Sequence, residues 1–150
     1  MSVPTGTINE ILNQKGANVW TIAPDATVFE AIKLMADKNV GALLVTERGK
    51  LIGVLSERDY TRKVALKGKS SKDLKVREII TERPVHVTPN HSVEDCMRLM
   101  TEHRVRHLPV LDADQIKGVV SIGDLVNWII SAQNATIAQM EQYISGGYPG

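Results

Sequence analysis

One segment of this 150-residue chain is written twice, and this internal repeat constrains the fold more than any other feature. Shifting the sequence by 65 residues aligns residues 24–59 with residues 89–124 without a gap, with 11 identities in 36 positions. Unrelated segments of average composition would share about 2. A shorter echo, residues 8–12 against 76–80, lies upstream of each copy. The two copies should therefore fold into the same set of elements.

Each copy predicts an extended segment, a helix, two strands and a closing helix. The first helix is indicated by a capping-box pattern (Thr27 with Glu30, Ser92 with Asp95) and by apolar residues at a 3.6-residue period. Paired apolar segments separated by a polar turn predict two β-hairpins, and they lie at 42–45 with 51–55 and at 108–111 with 116–120. A closing helix begins near Ser56 and near Ser121.

A single copy of about 55 residues would bury too little apolar surface to be stable alone. We therefore expect one α+β module in which two β-α-β-β-α units pack about a pseudo-two-fold axis, with their sheets facing each other and the helices outside. The expected boundaries are a first repeat at 8–66, a polar linker at 67–74, a second repeat with an extended C-terminal helix at 75–144, and a flexible tail at 145–150.

Composition narrows the function classes. With 18 basic and 17 acidic residues, the formal charge of +1 gives no electrostatic basis for binding nucleic acid. No apolar run reaches the length of a membrane span, and the N-terminal residues do not resemble a signal peptide. A single cysteine, Cys96, excludes an internal disulfide and predicts a reducing, cytoplasmic location.

Both copies keep the pattern Gly-x-x-Ser-x-x-Asp, at residues 53–59 and 118–124, where a predicted strand runs into a helix. One interpretation is structural, because a serine followed three residues later by an acid forms a capping box. The other is a nucleotide site: N–H groups at a helix start and a serine hydroxyl suit a phosphate, and a carboxylate can accept both hydroxyls of a ribose. The glycine would leave room for a ligand beside the backbone. Capping alone does not explain the recurring glycine, so we favour the nucleotide site.

The duplicated unit resembles a pair of CBS domains, also called a Bateman module, over roughly residues 8–130. The residues that carry the resemblance are Pro24-Asp25-Ala26-Thr27, Val40-Gly41-Ala42-Leu43-Leu44-Val45, Ser56-Glu57-Arg58-Asp59, Val105-Arg106-His107-Leu108-Pro109-Val110 and Ser121-Ile122-Gly123-Asp124. The resemblance implies tandem CBS repeats that bind adenosine compounds in two clefts between the repeats, dimerise, and act as regulatory sensors.

The resemblance also assigns site residues. Asp59 and Asp124 would bind the ribose, with Ser56 and Ser121 as their hydroxyl partners. The segments beside the adenine would be Thr21-Ile22-Ala23 and His86-Val87-Thr88, and the basic residues near the phosphates would be Arg58, Arg106 and His107. The copies differ in this region, since Gly41-Ala42 stands where the second copy has Arg106-His107, and Gly123 stands where the first has Arg58. The two clefts should therefore differ in affinity or in preferred ligand.

Other patterns are weaker. The histidines His86, His91, His103 and His107 have no acid or cysteine partner at ligand spacing, so we expect no metal site. Cys96 lies on the apolar face of its helix and is expected to be a buried hydrophobe. The extended C-terminal helix offers apolar residues for self-association or for capping the core, and they are Trp128, Ile130, Ile137, Met140 and Ile144.

We therefore predict a non-catalytic regulatory module that binds AMP, ADP, ATP or NAD(H) as a regulatory ligand, without a catalytic cofactor. The expected partners are this ligand, a second copy of the chain and an unidentified regulated protein, with no nucleic acid or membrane. An S-adenosylmethionine sensor, a structural dimerisation module with vestigial clefts, and an enzyme are the alternatives. The sequence does not choose among the adenosine ligands.

Overall fold

The structure, a computed structural model, describes residues 6–16 and 18–145, so all but the first residue of the expected 145–150 tail lie outside it. The elements in the first half are helix α1 (Ile8–Lys15), strand β1 (Thr21–Ile22), helix α2 (Val28–Lys38), strands β2 (Ala42–Glu47) and β3 (Lys50–Ser56), helix α3 (Glu57–Tyr60) and a π-helical turn (Thr61–Ala65). Those in the second half are a 3₁₀ turn (Val76–Glu78), strand β4 (Thr81–Glu82), helix α4 (Val93–His103), strands β5 (His107–Asp112) and β6 (Gln115–Ser121), and helix α5 (Ile122–Ser145). These elements confirm the predicted α+β repeat.

The two hairpins have the same register. In the first, β2 and β3 pair antiparallel with an irregularity after Val45, and in the second β5 and β6 pair antiparallel with an irregularity after Val110. A parallel partner lies beside each: β1 pairs with β2, and Val87 bridges to Val110. β3 and β6 contact each other between the two sheets. The hairpins and the extended segments before them thus confirm the duplicated sequence pattern.

Both long helices of the repeat begin at a capping box. The side chains of Thr27 and Ser92 accept a hydrogen bond from the backbone N–H three residues on, and Glu30 and Asp95 return one. Both helices end at a residue with left-handed backbone, Asn39 in the first repeat and Arg104 in the second.

Two separate hydrophobic cores lie in the molecule, and each takes a segment from the other repeat. Helix α1 places Ile8, Ile11 and Leu12 in the core built around α4, β5 and β6. In exchange, Val76 and Ile79 pack in the core of the first repeat, around α2, β2 and β3. Matching backbone bonds hold both segments: the Ile8 N–H donates to His91, and the Val76 N–H donates to Ala26, each at 2.9 Å. The short upstream echo is therefore a docking segment that joins the repeats.

Cys96 lies in the second core and is fully buried, as the helical pattern predicts. Burial raises the pKa of its thiol to about 12, with a smaller contribution from the neighbouring Asp95 carboxylate. No helix among residues 6–16 and 18–145 combines the length and the apolar character needed to cross a membrane.

Candidate functional site

Two cavities open between the repeats, each around one of the recurring aspartates. The larger, here called the Asp59 cleft, has a volume of about 620 Å³ and is lined by the start of α3 together with residues 83–85 and 103–107. The smaller, the Asp124 cleft, has a volume of about 290 Å³ and is lined by Ser121 and Asp124 together with Asn18, Trp20 and residues 39–42. Each aspartate thus faces a segment of the other repeat.

In the Asp59 cleft, the serine and the aspartate bond to each other. Oδ2 of Asp59 accepts hydrogen bonds from the backbone N–H of Ser56 at 2.9 Å and from its hydroxyl at 3.0 Å. Nζ of Lys63, in the π-helical turn, lies 3.3 Å from Oδ1 of Asp59 and donates to the carbonyl of Ile79 at 2.9 Å. Lys63 therefore links the Asp59 carboxylate to the backbone of the second repeat.

The Asp124 cleft repeats this arrangement with a lysine from elsewhere in the chain. Oδ2 of Asp124 accepts a hydrogen bond from the backbone N–H of Ser121 at 2.8 Å, and the Asp124 N–H donates to the Ser121 hydroxyl at 3.1 Å. Nζ of Lys15, the last residue of α1, lies 2.6 Å from the same carboxylate oxygen and donates to the carbonyl of Val119 at 2.8 Å. Capping and cavity lining are thus properties of the same residues.

Not every predicted site residue lines a cavity. Ser56, Arg58, Asp59, Arg106 and His107 line the Asp59 cleft, while Ser121, Asp124 and again His107 line the Asp124 cleft. Thr21, Ile22, Ala23, His86 and Val87 are absent from the lining of both.

The reason lies in the extended segments. Val87 is fully buried in the second core, and Thr21 and Ile22 pair along β2. The residues just before these segments reach the cavities instead: Asn18 and Trp20 in one cleft, and Arg83 to Val85 in the other. These two stretches are 65 residues apart, so the repeat offset would have identified them together.

His107 contributes to both clefts. It lies opposite Gly41, where an added Cβ would stand 3.4 Å from the His107 ring. Burial lowers the pKa of His107, Lys15 and Arg106 lower it further, and the nearby Asp124 carboxylate opposes them. The imidazole is therefore neutral at pH 7 and can accept a hydrogen bond at the wall between the cavities.

Gly118 does not face a ligand space, contrary to our interpretation of the motif. A Cβ at this position would stand 2.8 Å from a methyl carbon of Leu12 on α1. Close packing of α1 against β6 therefore explains why residue 118 is a glycine. Among the described residues, no cluster of three or more His, Cys, Asp or Glu side chains is arranged to hold a metal ion.

The comparisons with known proteins agree with this architecture. The family model for the CBS domain matches twice, at residues 8–66 and 76–131. The chain belongs to the CBS-domain family. CBS-domain proteins are generally regulatory modules.

Three relatives illustrate the similarity to other CBS-domain proteins. The chain is 40% identical over 152 residues to the mitochondrial CBS domain-containing protein CBSX3 of Arabidopsis thaliana, covering 95% of this chain and 73% of that protein. It is 38% identical to CBS domain-containing protein YhcV of Bacillus subtilis, covering 71% of this chain and 76% of that protein. The solved CBS-domain structure of NE2398 is 49% identical with a TM-score of 0.79, covering 83% of this chain and 97% of the other.

Proposed function

We propose that this CBS pair is a non-catalytic sensor that binds an adenosine-containing nucleotide, AMP, ADP, ATP or NAD(H), in each of its two clefts. The observation that supports it most is the recurrence of one carboxylate, with the same serine and a lysine partner, at equivalent places in both cavities. A ribose diol needs a carboxylate with acceptor capacity that is not already used. From the described residues, Oδ1 of Asp124 accepts no hydrogen bond, and Oδ1 of Asp59 has only the Lys63 contact.

One protein of this fold has been solved with adenosine compounds bound. The CBS pair of protein MJ0100 was solved in complex with 5′-methylthioadenosine and S-adenosyl-L-methionine, and it shares this fold at 21% identity and a TM-score of 0.72. That complex describes MJ0100 and not this chain, so S-adenosylmethionine is an alternative ligand that the titration below tests. A cleft formed by two repeats suits regulation, because a ligand that contacts both repeats favours one relative orientation of them.

We further propose that the protein self-associates through α5, and that a regulated partner reads the orientation of the repeats in this dimer. Ile122, Val126 and Ile130 are exposed at four-residue spacing along this helix, so they form one apolar face. Of the residues expected to dimerise, Ile130 and Met140 are exposed, Trp128 packs against the second core, and the side chains of Ile137 and Ile144 lie outside the described part. A hexameric CBS-CP12 protein from cyanobacteria, 34% identical, shows that a relative assembles.

The proposed compartment is the reducing cytoplasm, supported by the single buried Cys96. The relative CBSX3 of Arabidopsis thaliana is mitochondrial, so a mitochondrial location is the alternative. Fractionation of cells that express the tagged chain would distinguish the two compartments.

The test is a calorimetric titration with adenosine, AMP, ADP, ATP, NAD, NADH and S-adenosylmethionine, using Asp59→Asn, Asp124→Asn and the double variant. Asp95→Asn is the matched control, because Asp95 forms the same capping box with Ser92 but lies outside both clefts. The proposal expects binding in the parent and in Asp95→Asn, partial loss in each cleft variant and none in the double variant. Equal binding by the double variant and the parent would refute it, and turnover of a bound nucleotide would refute the non-catalytic role.

A further inference from the structure

The two clefts differ sharply in charge. Six cationic side chains line the Asp59 cleft, and they are Arg58, Arg62, Lys63, Arg83, Arg104 and Arg106. At the positions 65 residues away, the chain has no charged residue in any of the six cases: the counterparts, in the same order, are Gly123, Asn127, Trp128, Asn18, Asn39 and Gly41. Duplication alone would make the clefts alike, so this difference calls for its own explanation.

The cations of the Asp59 cleft are not matched by carboxylates. Glu57 and Asp59 are the acidic residues among its lining, and Asp59 already pairs with Lys63. Among the described ion pairs, none involves any of the five arginines of the cleft. In the Asp124 cleft, by contrast, Lys15 and Asp124 neutralise each other.

The backbone supports this arrangement of arginines. Arg83 and Arg104 have left-handed conformations, with φ of 50° and 55°, which is uncommon for a long side chain. At the position equivalent to Arg104, Asn39 has the same conformation with φ of 54°, and asparagine tolerates it better. Nη1 of Arg58 donates to the carbonyl of Arg104 at 3.4 Å, which joins the two repeats across the cleft. The chain therefore places an arginine where asparagine would be less strained.

Unpaired like charges that converge on one cavity repel each other, and a polyanion relieves that repulsion. Guanidinium groups bind phosphate oxygens through two parallel hydrogen bonds, so several arginines can contact successive phosphates. The cavity of about 620 Å³ is twice the size of the other, at about 290 Å³, and leaves room for a ligand longer than a nucleoside.

We infer that the Asp59 cleft selects an adenosine polyphosphate, whereas the Asp124 cleft takes an adenosine ligand with at most one phosphate. This inference rests on the proposed function, because it assigns a ligand class to each of the two nucleotide clefts. The same protein would then sense two ligands of different charge at once.

The experiment isolates one cleft at a time. In an Asp124→Asn background, calorimetry at fixed salt measures the affinity for adenosine, AMP, ADP, ATP and inorganic triphosphate. The test variant is Arg83→Asn with Arg104→Asn, which installs the residues that the other cleft has at these positions. The control is Arg48→Asn, because Arg48 also has a left-handed backbone (φ of 55°) but lies in the β2–β3 turn, outside both clefts.

In the background protein, affinity should rise from adenosine to ATP. The Arg83→Asn/Arg104→Asn variant should bind ATP at least about tenfold more weakly while its affinity for adenosine changes less than about twofold, because each guanidinium acts on phosphate alone. The Arg48→Asn control should show the same rise in affinity from adenosine to ATP as the background protein. In an Asp59→Asn background, which leaves only the Asp124 cleft, affinity should not rise beyond AMP.

Three results would overturn the inference: equal affinity for adenosine and ATP in the Asp59 cleft, an equal loss in the Arg48→Asn control, or a preference for ATP in the Asp124 cleft. Failure of the proposed function looks different. If triphosphate binds in an arginine-dependent manner and no adenosine compound binds more tightly than triphosphate, the cleft is an anion site and the nucleotide assignment is wrong.

Discussion

Nζ of Lys15 lies 2.6 Å from Oδ2 of Asp124, so the last residue of the N-terminal helix is paired with the aspartate that ends the second copy of the repeated motif. The two residues are 109 positions apart in the chain. Helix α1 therefore both completes the second core and forms one side of the Asp124 cleft.

Packing rather than the ion pair should anchor α1. The Lys15–Asp124 pair is partly exposed, with 34% and 21% of the two side chains accessible, so Lys15→Met should lower the free energy of unfolding by less than about 1 kcal/mol. Leu12 is buried against Gly118, and Leu12→Ala should cost about 2–5 kcal/mol. Urea denaturation measures both. A larger cost for Lys15→Met than for Leu12→Ala would show that the ion pair dominates.

Trp20 should report occupancy of the Asp124 cleft. It is one of two tryptophans in the chain and lines this cavity, whereas Trp128 packs against the second core. Adenosine binding should change the tryptophan emission because the ligand alters the polarity around the indole. Trp20→Phe should abolish the change and Asp59→Asn should retain it. A signal that persists in Trp20→Phe would place the reporter elsewhere.

Stability should fall as the pH drops below about 6.5, and His107 should account for a part of this loss. Burial lowers the pKa of His107 in the folded protein below its ordinary value of 6.5, with Lys15 and Arg106 acting in the same direction against Asp124. Between the folded pKa and 6.5 the unfolded chain binds more protons, so the free energy of unfolding decreases with falling pH.

Urea denaturation at several pH values between 7.5 and 5 measures this dependence, because this range includes the ordinary pKa of an imidazole. His107→Gln should flatten the pH dependence above pH 5. The pKa values of Asp25 and Asp95 are also lowered, by hydrogen bonds from Arg77 and Ser92 respectively, and their contributions disappear only as the pH falls below 3.8. An identical profile in parent and His107→Gln would contradict the assignment.

Self-association should depend on the apolar face of α5. Ile130 is 47% exposed, and Ile130→Lys would place a charge within a buried contact, which a dimer does not tolerate. Sedimentation at micromolar concentration should show a dimer for the parent and a monomer for the variant. Leu66→Lys is the control, because Leu66 is a similarly apolar residue, 76% exposed, that is not part of α5. A dimer that survives Ile130→Lys but not Leu66→Lys would identify a different face.

Local patterns predicted α2, α4 and the two hairpins correctly because their signals lie within a few residues, whereas α1 and β4 were not predicted. The capping boxes at Thr27 and Ser92 marked the helix starts, and the hairpin strands followed from apolar runs with a polar turn. The recurrence of Ser56 with Asp59 and of Ser121 with Asp124 located both clefts.

Features that depend on long-range packing were not predictable in this way. Nothing in the motif around Gly118 indicates that Leu12, more than a hundred residues earlier, fills the space before it. The prediction that residues 21–23 and 86–88 contact adenine remains a prediction. Local patterns did not indicate that the residues just before these segments, Asn18, Trp20 and Arg83 to Val85, line the cavities, because that depends on the pairing of β1 and the bridge from Val87.

The number of adenosine ligands bound per chain tests the central claim most directly. In calorimetric titration with ATP and AMP together, the parent and the Asp95→Asn control should each bind two nucleotides per chain. Asp59→Asn and Asp124→Asn should each bind one, and the double variant should bind none. A double variant that still binds two nucleotides, or a parent that binds none, would contradict the assignment of the two clefts.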